Sequence, residues 1–348
     1  RDLPELLPII NEQARLASER MQIEFTQPIT ITLIPRVMGH GGFATDEIHV
    51  SYLDRNYTEG VFGMVIQHEM VHILDRRLGG DLRPDMLVEG LAVYVTGGHY
   101  RPGPLLPRAA ALLDAWGDPS QPGLARYLPL QELADNFYHA QHEIGYLQAG
   151  ALVDYMVRTW GWTAFSTFYR DIHPHESGSQ AQALDAALQT HFNLTLAQLE
   201  QDFIAALSQQ PFSTTTLQEV QLTITYYDTL RTYQRQLDPS AYFLYAWLLA
   251  TPTMRQKGIT AAYLRHPLKA ENLALEMLLI TAADEIHQSL YDQAALTLKA
   301  IHNVQQALDL GAAAPFTARP LAAEYFSLVQ AFLQDPDYSL DFELQRLE

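Results

Sequence analysis

Two histidines and a glutamate form the pattern in this sequence that points most directly to chemistry. His68, Glu69 and His72 stand in the order H-E-x-x-H within residues 61–78, where apolar side chains recur at helical spacing. Because four residues turn an α-helix through about 400°, the two imidazoles project from one face, one turn apart. Both can then reach one Zn²⁺ at about 2.0–2.1 Å. The glutamate lies to the side, where it can contact a water on the metal without binding the metal itself.

A catalytic zinc needs a third protein ligand, and Glu89 is the natural candidate. It follows His72 by 17 residues, in a short apolar segment where an unpaired buried carboxylate would cost several kcal/mol. The small residues Gly90 and Ala92 predict that this segment packs closely against the helix of the two histidines. The alternative interpretation is a pair of histidines on an ordinary helix surface beside a carboxylate, with no metal.

The position of Asp75, one turn beyond His72, allows two interpretations. A histidine-only ligand set in the spacing H-E-x-x-H-x-x-G-x-x-H is excluded, because position 75 is Asp75 and position 78 is Leu78. Asp75 is predicted either to accept a hydrogen bond from an imidazole of the metal site or to pair with Arg76 or Arg77 as an ordinary helix-end carboxylate.

Two further groups of histidines have weaker patterns. His139 and His142 have the i, i+3 spacing of a metal pair and Glu143 follows, but the order is not that of the H-x-x-E-H motif. A polar face near the cleft is therefore the favoured interpretation and a metal pair the weaker one. The segment 173–176, His-Pro-His-Glu, lies in a stretch rich in Pro, Gly and Ser, and is expected to be solvated.

The elements around these residues predict a mostly helical α+β protein. Short strands are expected at 29–34 and 48–52, with a glycine-marked loop at 39–42 between them. The resulting small N-terminal sheet is expected to pack on the H-E-x-x-H helix, ahead of a helical subdomain. A Pro- and Gly-rich connection is predicted at 102–129. The periodicity predicts helices at 3–24, 61–78, 84–95, 145–159, 163–170, 180–190 and 195–208.

A change in composition near Pro211, followed by a Ser/Thr run, predicts a domain boundary. The sequence therefore divides into residues 1–210, which carry the chemistry, and 211–348, an all-α unit of helical hairpins that could offer a surface to a protein partner. The helices predicted in the second part are 216–236, 239–250, 268–286, 289–309 and 319–333.

Composition limits the partners and the compartment. The 348 residues include 40 acidic and 22 basic side chains, and the formal charge of −18 repels nucleic acid phosphates. No apolar run reaches the roughly 20 residues of a membrane span. The absence of cysteine excludes disulfides and thiolate metal sites. Because the chain begins with Arg1 rather than Met, we expect a trimmed protein and an extracytoplasmic location.

Together these features resemble the peptidase MA-like gluzincins, relatives of thermolysin-type and aminopeptidase-type zinc proteases. The resemblance rests on HEMVH at 68–72 and on P-x-x-L-x-E-G-L-A-x-Y at 84–94, where the family usually has Trp at the position of Met86. It continues in a Tyr-led helix that ends in Trp-Gly at 145–161, and covers about residues 1–208.

The resemblance implies a zinc metallopeptidase with one Zn²⁺ per chain. By this resemblance the metal ligands are His68, His72 and Glu89, and Glu69 is the general base. Tyr146 is the candidate donor to the tetrahedral oxyanion, because a phenol can stabilise developing negative charge without competing for zinc.

Several alternatives stay open beside that assignment. Tyr146 could be a core residue, and Tyr138 lies close to it in the sequence. The implied substrate is a peptide or protein that docks by strand addition along residues 41–52. An endopeptidase is favoured, because no G-x-M-E-N-type motif precedes the metal helix. The alternative function is a catalytically weak or inactive peptidase-like binding or adaptor protein, although Glu69 is retained.

Overall fold

A computed structural model describes the protein at residues 3–34, 41–51, 59–116, 127–238, 269–317 and 319–334. The described residues up to Ile224 form one compact unit, and those from Thr225 onward form a second. The predicted fold class, mostly helical α+β with a small N-terminal sheet and a helical C-terminal region, is confirmed.

A three-stranded sheet lies near the N-terminus of the first unit. Its strands are β1 (Ile31–Ile34), β2 (Gly42–Ala44) and β3 (Ile48–Ser51), in the order β1-β3-β2. β1 pairs parallel to β3, and β2 pairs antiparallel to it. β2 was not predicted. Of the loop expected at 39–42, residues 39–40 lie outside the described part, Gly41 belongs to no strand and Gly42 begins β2. A three-residue strand that begins with glycine has neither the length nor the composition from which strands are predicted.

The sheet packs on α2 (Glu59–Leu78), the helix of the H-E-x-x-H pattern. α1 (Leu3–Met21) packs against the same helix. Tyr52, the last residue of the predicted second strand, lies outside the described residues.

Glycines allow α3 (Asp85–Thr96) to pack tightly against α6 (His142–Trp160). A Cβ on Gly90 would lie 2.6 Å from the backbone oxygen of Ala149, and a Cβ on Gly150 would lie 2.3 Å from a methyl carbon of Val93. α3 contacts the helix of the two histidines, as its small residues predict, but Gly90 itself faces α6. The rotation of α3 about its own axis determines which neighbouring helix Gly90 faces. The sequence periodicity does not indicate that rotation, because nearly every side chain of α3 is apolar.

The predicted connection at 102–129 is wrong in its first half. Residues Leu105–Trp116 form α4, because leucine and alanine dominate the segment. Pro107 lies in the first turn of α4, where its missing N–H breaks no helical hydrogen bond. Residues 117–126 lie outside the described part. The chain then continues through α5 (Leu130–Asp135) and a 3₁₀ turn (Phe137–His139).

The remaining helices of the first unit occur where the sequence predicts them. They are α7 (Trp162–Arg170), α8 (Gln180–Phe192) and α9 (Leu196–Ser208). α9 begins with a capping box in which the side chains of Thr195 and Gln198 bond to each other's backbone N–H.

The second unit is helical throughout its described part. α10 (Thr214–Gln236) begins in the first unit and ends in the second, and is followed by α11 (Ala270–His287), α12 (Tyr291–Asp309) and α13 (Pro320–Gln334). The helix predicted at 239–250 lies outside the described residues. The domain boundary predicted at 210/211 falls in the break between α9 and α10, whereas the compact units divide within α10, so that boundary stays a prediction.

No helix in the described ranges combines the length and the apolarity needed to cross a membrane.

Candidate metal centre

The helices α2 and α3 bring together the three residues predicted as metal ligands. His68 and His72 lie one turn apart on α2, with ring centroids 4.7 Å from each other. The Oε2 atom of Glu89, on α3, lies 3.2 Å from Nε2 of His68 and 3.4 Å from Nε2 of His72. The donor atoms of the three side chains all lie within 4.8 Å of one another.

These separations fit a small divalent cation. Bonds of about 2.0–2.1 Å at tetrahedral angles place two donor atoms about 3.3 Å apart, close to the two distances that involve Glu89. Two imidazole nitrogens and one carboxylate oxygen also form a donor set typical of catalytic zinc, which keeps one coordination position open. The three residues could therefore hold a metal ion.

The charges of this group depend on one another. Burial opposes the ionised form of Glu89, yet the imidazoles of His72 and His68 and their hydrogen bonds hold the pKa of its carboxyl well below the ordinary value. Burial likewise disfavours a charged His72, but the Glu89 carboxylate raises its pKa overall. A proton on this imidazole competes with a metal for the same nitrogen.

Glu69 lies beside the three residues and is buried, with 4% of its surface exposed. Burial raises the pKa of its carboxyl to about 8; Glu89 adds to this effect and His68 opposes it. Its Oε2 atom has no hydrogen-bond partner among the described residues. A buried, unpaired carboxyl oxygen next to a candidate metal site is placed to bind a small polar ligand such as water.

Asp75 connects the helices that carry the ligands. It is fully buried, and it accepts hydrogen bonds of 2.6 Å from the Tyr169 hydroxyl and from the Arg83 guanidinium. None of the predicted partners is found. Arg76 pairs with Asp46, Arg77 donates to the backbone oxygen of Glu24, and no hydrogen bond joins Asp75 to His72 in the described structure. Because Arg83 lies just before α3, the ion pair fixes the end of α2 to the start of the helix that carries the carboxylate ligand.

Tyr146, the candidate oxyanion donor, lies on α6 next to the metal group. The residue is buried, and its ring centroid is 6.2 Å from that of His68. Its ring stacks on that of His99, with centroids 4.0 Å apart. Sequence reasoning missed His99, because a single histidine after two glycines has no recognisable metal or catalytic pattern. The role of Tyr146 as an oxyanion donor stays a prediction.

A buried carboxylate orients His99. The Nδ1 atom of this imidazole lies 3.0 Å from Oε2 of Glu143. Burial raises the pKa of Glu143 to about 7 and lowers that of His99 to about 3. Arg108, buried on α4, lies 3.6 Å from Glu143 and 2.8 Å from Glu219, and so partly compensates the two carboxylates.

Residues 139–143 were predicted to form a polar face, but two of them, His142 and Glu143, contact His99. Glu143 is almost completely buried, His142 contacts the ring of His99 with centroids 4.9 Å apart, and His139 is exposed. These residues do not converge on a metal position; among the described residues, only His68, His72 and Glu89 do.

No protein-family model, curated protein or solved structure matches the chain. What the site can do therefore follows from its own residues. Three donor atoms can hold a metal ion, and a buried carboxyl group lies beside them. Such an arrangement suits metal-assisted hydrolysis, in which the carboxyl group moves a proton.

Proposed function

We propose that the protein is a zinc-dependent peptidase with one Zn²⁺ per chain. The observation that carries this proposal is the convergence of the His68, His72 and Glu89 donor atoms beside the buried carboxyl group of Glu69. The resemblance of residues 1–208 to gluzincins leads to the same assignment of roles.

The mechanism assigns one task to each side chain. Zinc, when bound, supplies Lewis acidity that polarises a carbonyl and acidifies water. His68, His72 and Glu89 hold it. A bound cation would favour the ionised form of Glu69, which then accepts the proton of the attacking water at its unpaired oxygen and transfers it to the nitrogen of the leaving amine. Tyr146 is the proposed hydrogen-bond donor to the developing oxyanion.

The edge of the sheet supports a peptide as the substrate. β2 is an outer strand that pairs only with β3 in the described part of the chain. Gly42, its first residue, lies so close to Glu69 that an added Cβ would be 3.0 Å from Oε1 of that glutamate. An extended peptide that adds to this edge would pass next to the proposed base.

A methyl group at position 42 tests this geometry. In Gly42→Ala the new Cβ would lie 2.9 Å from the backbone oxygen of His49 as well as 3.0 Å from Glu69. The contact with the His49 oxygen would strain the pairing of β2 with β3, and the contact with Glu69 would displace its side chain. We therefore expect kcat to fall by about 10²-fold with zinc content unchanged. Gly145→Ala is the matched control, because its Cβ would meet nothing closer than 3.5 Å. Equal kcat in both variants would contradict the proposed position of the base.

The proposed function itself is tested with a mixture of peptides of diverse sequence, analysed by mass spectrometry. We expect the zinc-loaded protein to cleave internal peptide bonds, a chelator to stop cleavage, and added Zn²⁺ to restore it. Circular dichroism should show that the chelated protein stays folded. Cleavage that is insensitive to chelation would refute the zinc mechanism, and stoichiometric zinc without cleavage of any peptide would favour a binding protein.

Three expectations from the sequence stay predictions: an extracytoplasmic location, the exclusion of nucleic acid as a partner, and a protein partner bound through the C-terminal helices.

A further inference from the structure

Tyr138 contacts the proposed carboxylate ligand from outside the metal group. It belongs to the 3₁₀ turn between α5 and α6, and 58% of its surface is exposed. Its ring meets the buried ring of Phe137 edge-on, with centroids 5.3 Å apart. Its hydroxyl donates a hydrogen bond of 2.8 Å to Oε1 of Glu89.

The two oxygens of Glu89 therefore have different partners. Oε1 accepts from Tyr138, whereas Oε2 faces the Nε2 atoms of His68 and His72 at 3.2 and 3.4 Å. Because a carboxylate is planar, a hydrogen bond that holds one oxygen also limits rotation of the group and so determines where the other oxygen points. Without this bond, the carboxylate could turn away or present both oxygens to the metal.

Packing alone does not account for this tyrosine. An exposed aromatic side chain gains little from burial, and a phenylalanine would make the same contact with Phe137. The hydroxyl is the part of Tyr138 that reaches a buried, ionised group, and a hydrogen bond to a buried charge is worth more than one between neutral groups.

We propose that Tyr138 is a positioning residue that holds Glu89 as a one-oxygen metal ligand. This inference rests on the proposed metal site but not on peptide cleavage. The role differs from the one predicted for Tyr146, since Tyr138 acts through Glu89 rather than on the substrate. Outer residues that orient a metal ligand change metal affinity about 10- to 100-fold when they are removed.

The test compares two tyrosine-to-phenylalanine variants of the full chain. Tyr138→Phe removes the hydroxyl and keeps the exposed ring. Tyr94→Phe is the matched control: Tyr94 lies on α3 like Glu89, but its hydroxyl is influenced only by burial and by nearby charges and makes no hydrogen bond in the described part of the protein. Zinc dissociation constants are measured by competition with a chelator of known affinity. The absorption spectrum of the Co²⁺-substituted protein reports the coordination geometry, and melting of the metal-free proteins reports the fold.

We expect Tyr138→Phe to weaken zinc binding at least about 10-fold and to alter the Co²⁺ spectrum. The metal-free variant should still melt cooperatively, at most a few degrees lower, because one hydrogen bond to a buried carboxylate is lost. Tyr94→Phe should match the wild-type protein in zinc affinity and in the spectrum. If Tyr138→Phe binds zinc with wild-type affinity and has the wild-type spectrum, the inference is overturned and the proposed metal site stands. If the wild-type protein binds no stoichiometric zinc, the metal site itself is refuted and the inference with it.

Discussion

Replacing Glu69 with glutamine should reduce peptide cleavage by about 10³-fold or more while leaving zinc binding intact, because general acid–base catalysis contributes about 10²- to 10⁴-fold to a rate. Glutamine is nearly isosteric with glutamate but cannot accept the proton of the attacking water. Glu69 is not one of the three residues that face the metal position, so the ligand set is unchanged. The measurements are kcat/KM on a peptide found in the cleavage assay, and zinc content by elemental analysis.

The fold should tolerate this change. A carboxyl group whose pKa is raised to about 8 binds its proton more tightly in the folded than in the unfolded protein. The free energy of unfolding therefore falls as the pH rises from the unfolded pKa of this carboxyl group to its folded pKa of about 8. We expect metal-free Glu69→Gln to melt no lower than the metal-free wild-type protein at pH 8.

The control for the charge change is Glu132→Gln, at an exposed position on α5. It should retain wild-type kcat/KM. Wild-type cleavage by Glu69→Gln would show that another residue is the base, whereas equal loss in both variants would point to a general effect of charge.

His68→Ala should lose stoichiometric zinc and, with it, cleavage. The free energy of binding at a four-ligand zinc site, about 10–16 kcal/mol, corresponds to about 3 kcal/mol per ligand. Loss of one ligand therefore weakens binding by about 100-fold or more. The variant also leaves the buried Glu89 with a single imidazole partner, His72. Zinc per chain after gel filtration and the dissociation constant from chelator competition measure the effect.

His175→Ala is the control for loss of a histidine, because His175 is exposed in the segment 173–176, remote from the group of ligands in the sequence. It should keep one zinc per chain and full cleavage. Full zinc retention by His68→Ala would refute the assigned ligand set. Loss of zinc from both variants would indicate adventitious binding to surface histidines.

The sequence by itself predicted the three side chains whose donor atoms converge, His68, His72 and Glu89, but not His99 or Tyr138 beside them. His68 and His72 share a helix face because i, i+4 geometry is local and independent of the rest of the fold. Glu89 could be predicted because an apolar helix does not accommodate a carboxylate without a partner. Most helix positions followed in the same way from short-range periodicity.

The tertiary structure decided the partners of these residues. Tyr138 and Glu89 are 49 positions apart, and Asp75 and Tyr169 are 94 apart. Gly90 faces α6 rather than α2. In each case the contact depends on how a helix is rotated about its axis and on which element packs beside it. Periodicity identifies the apolar residues of a helix, but long-range packing determines what each of them touches.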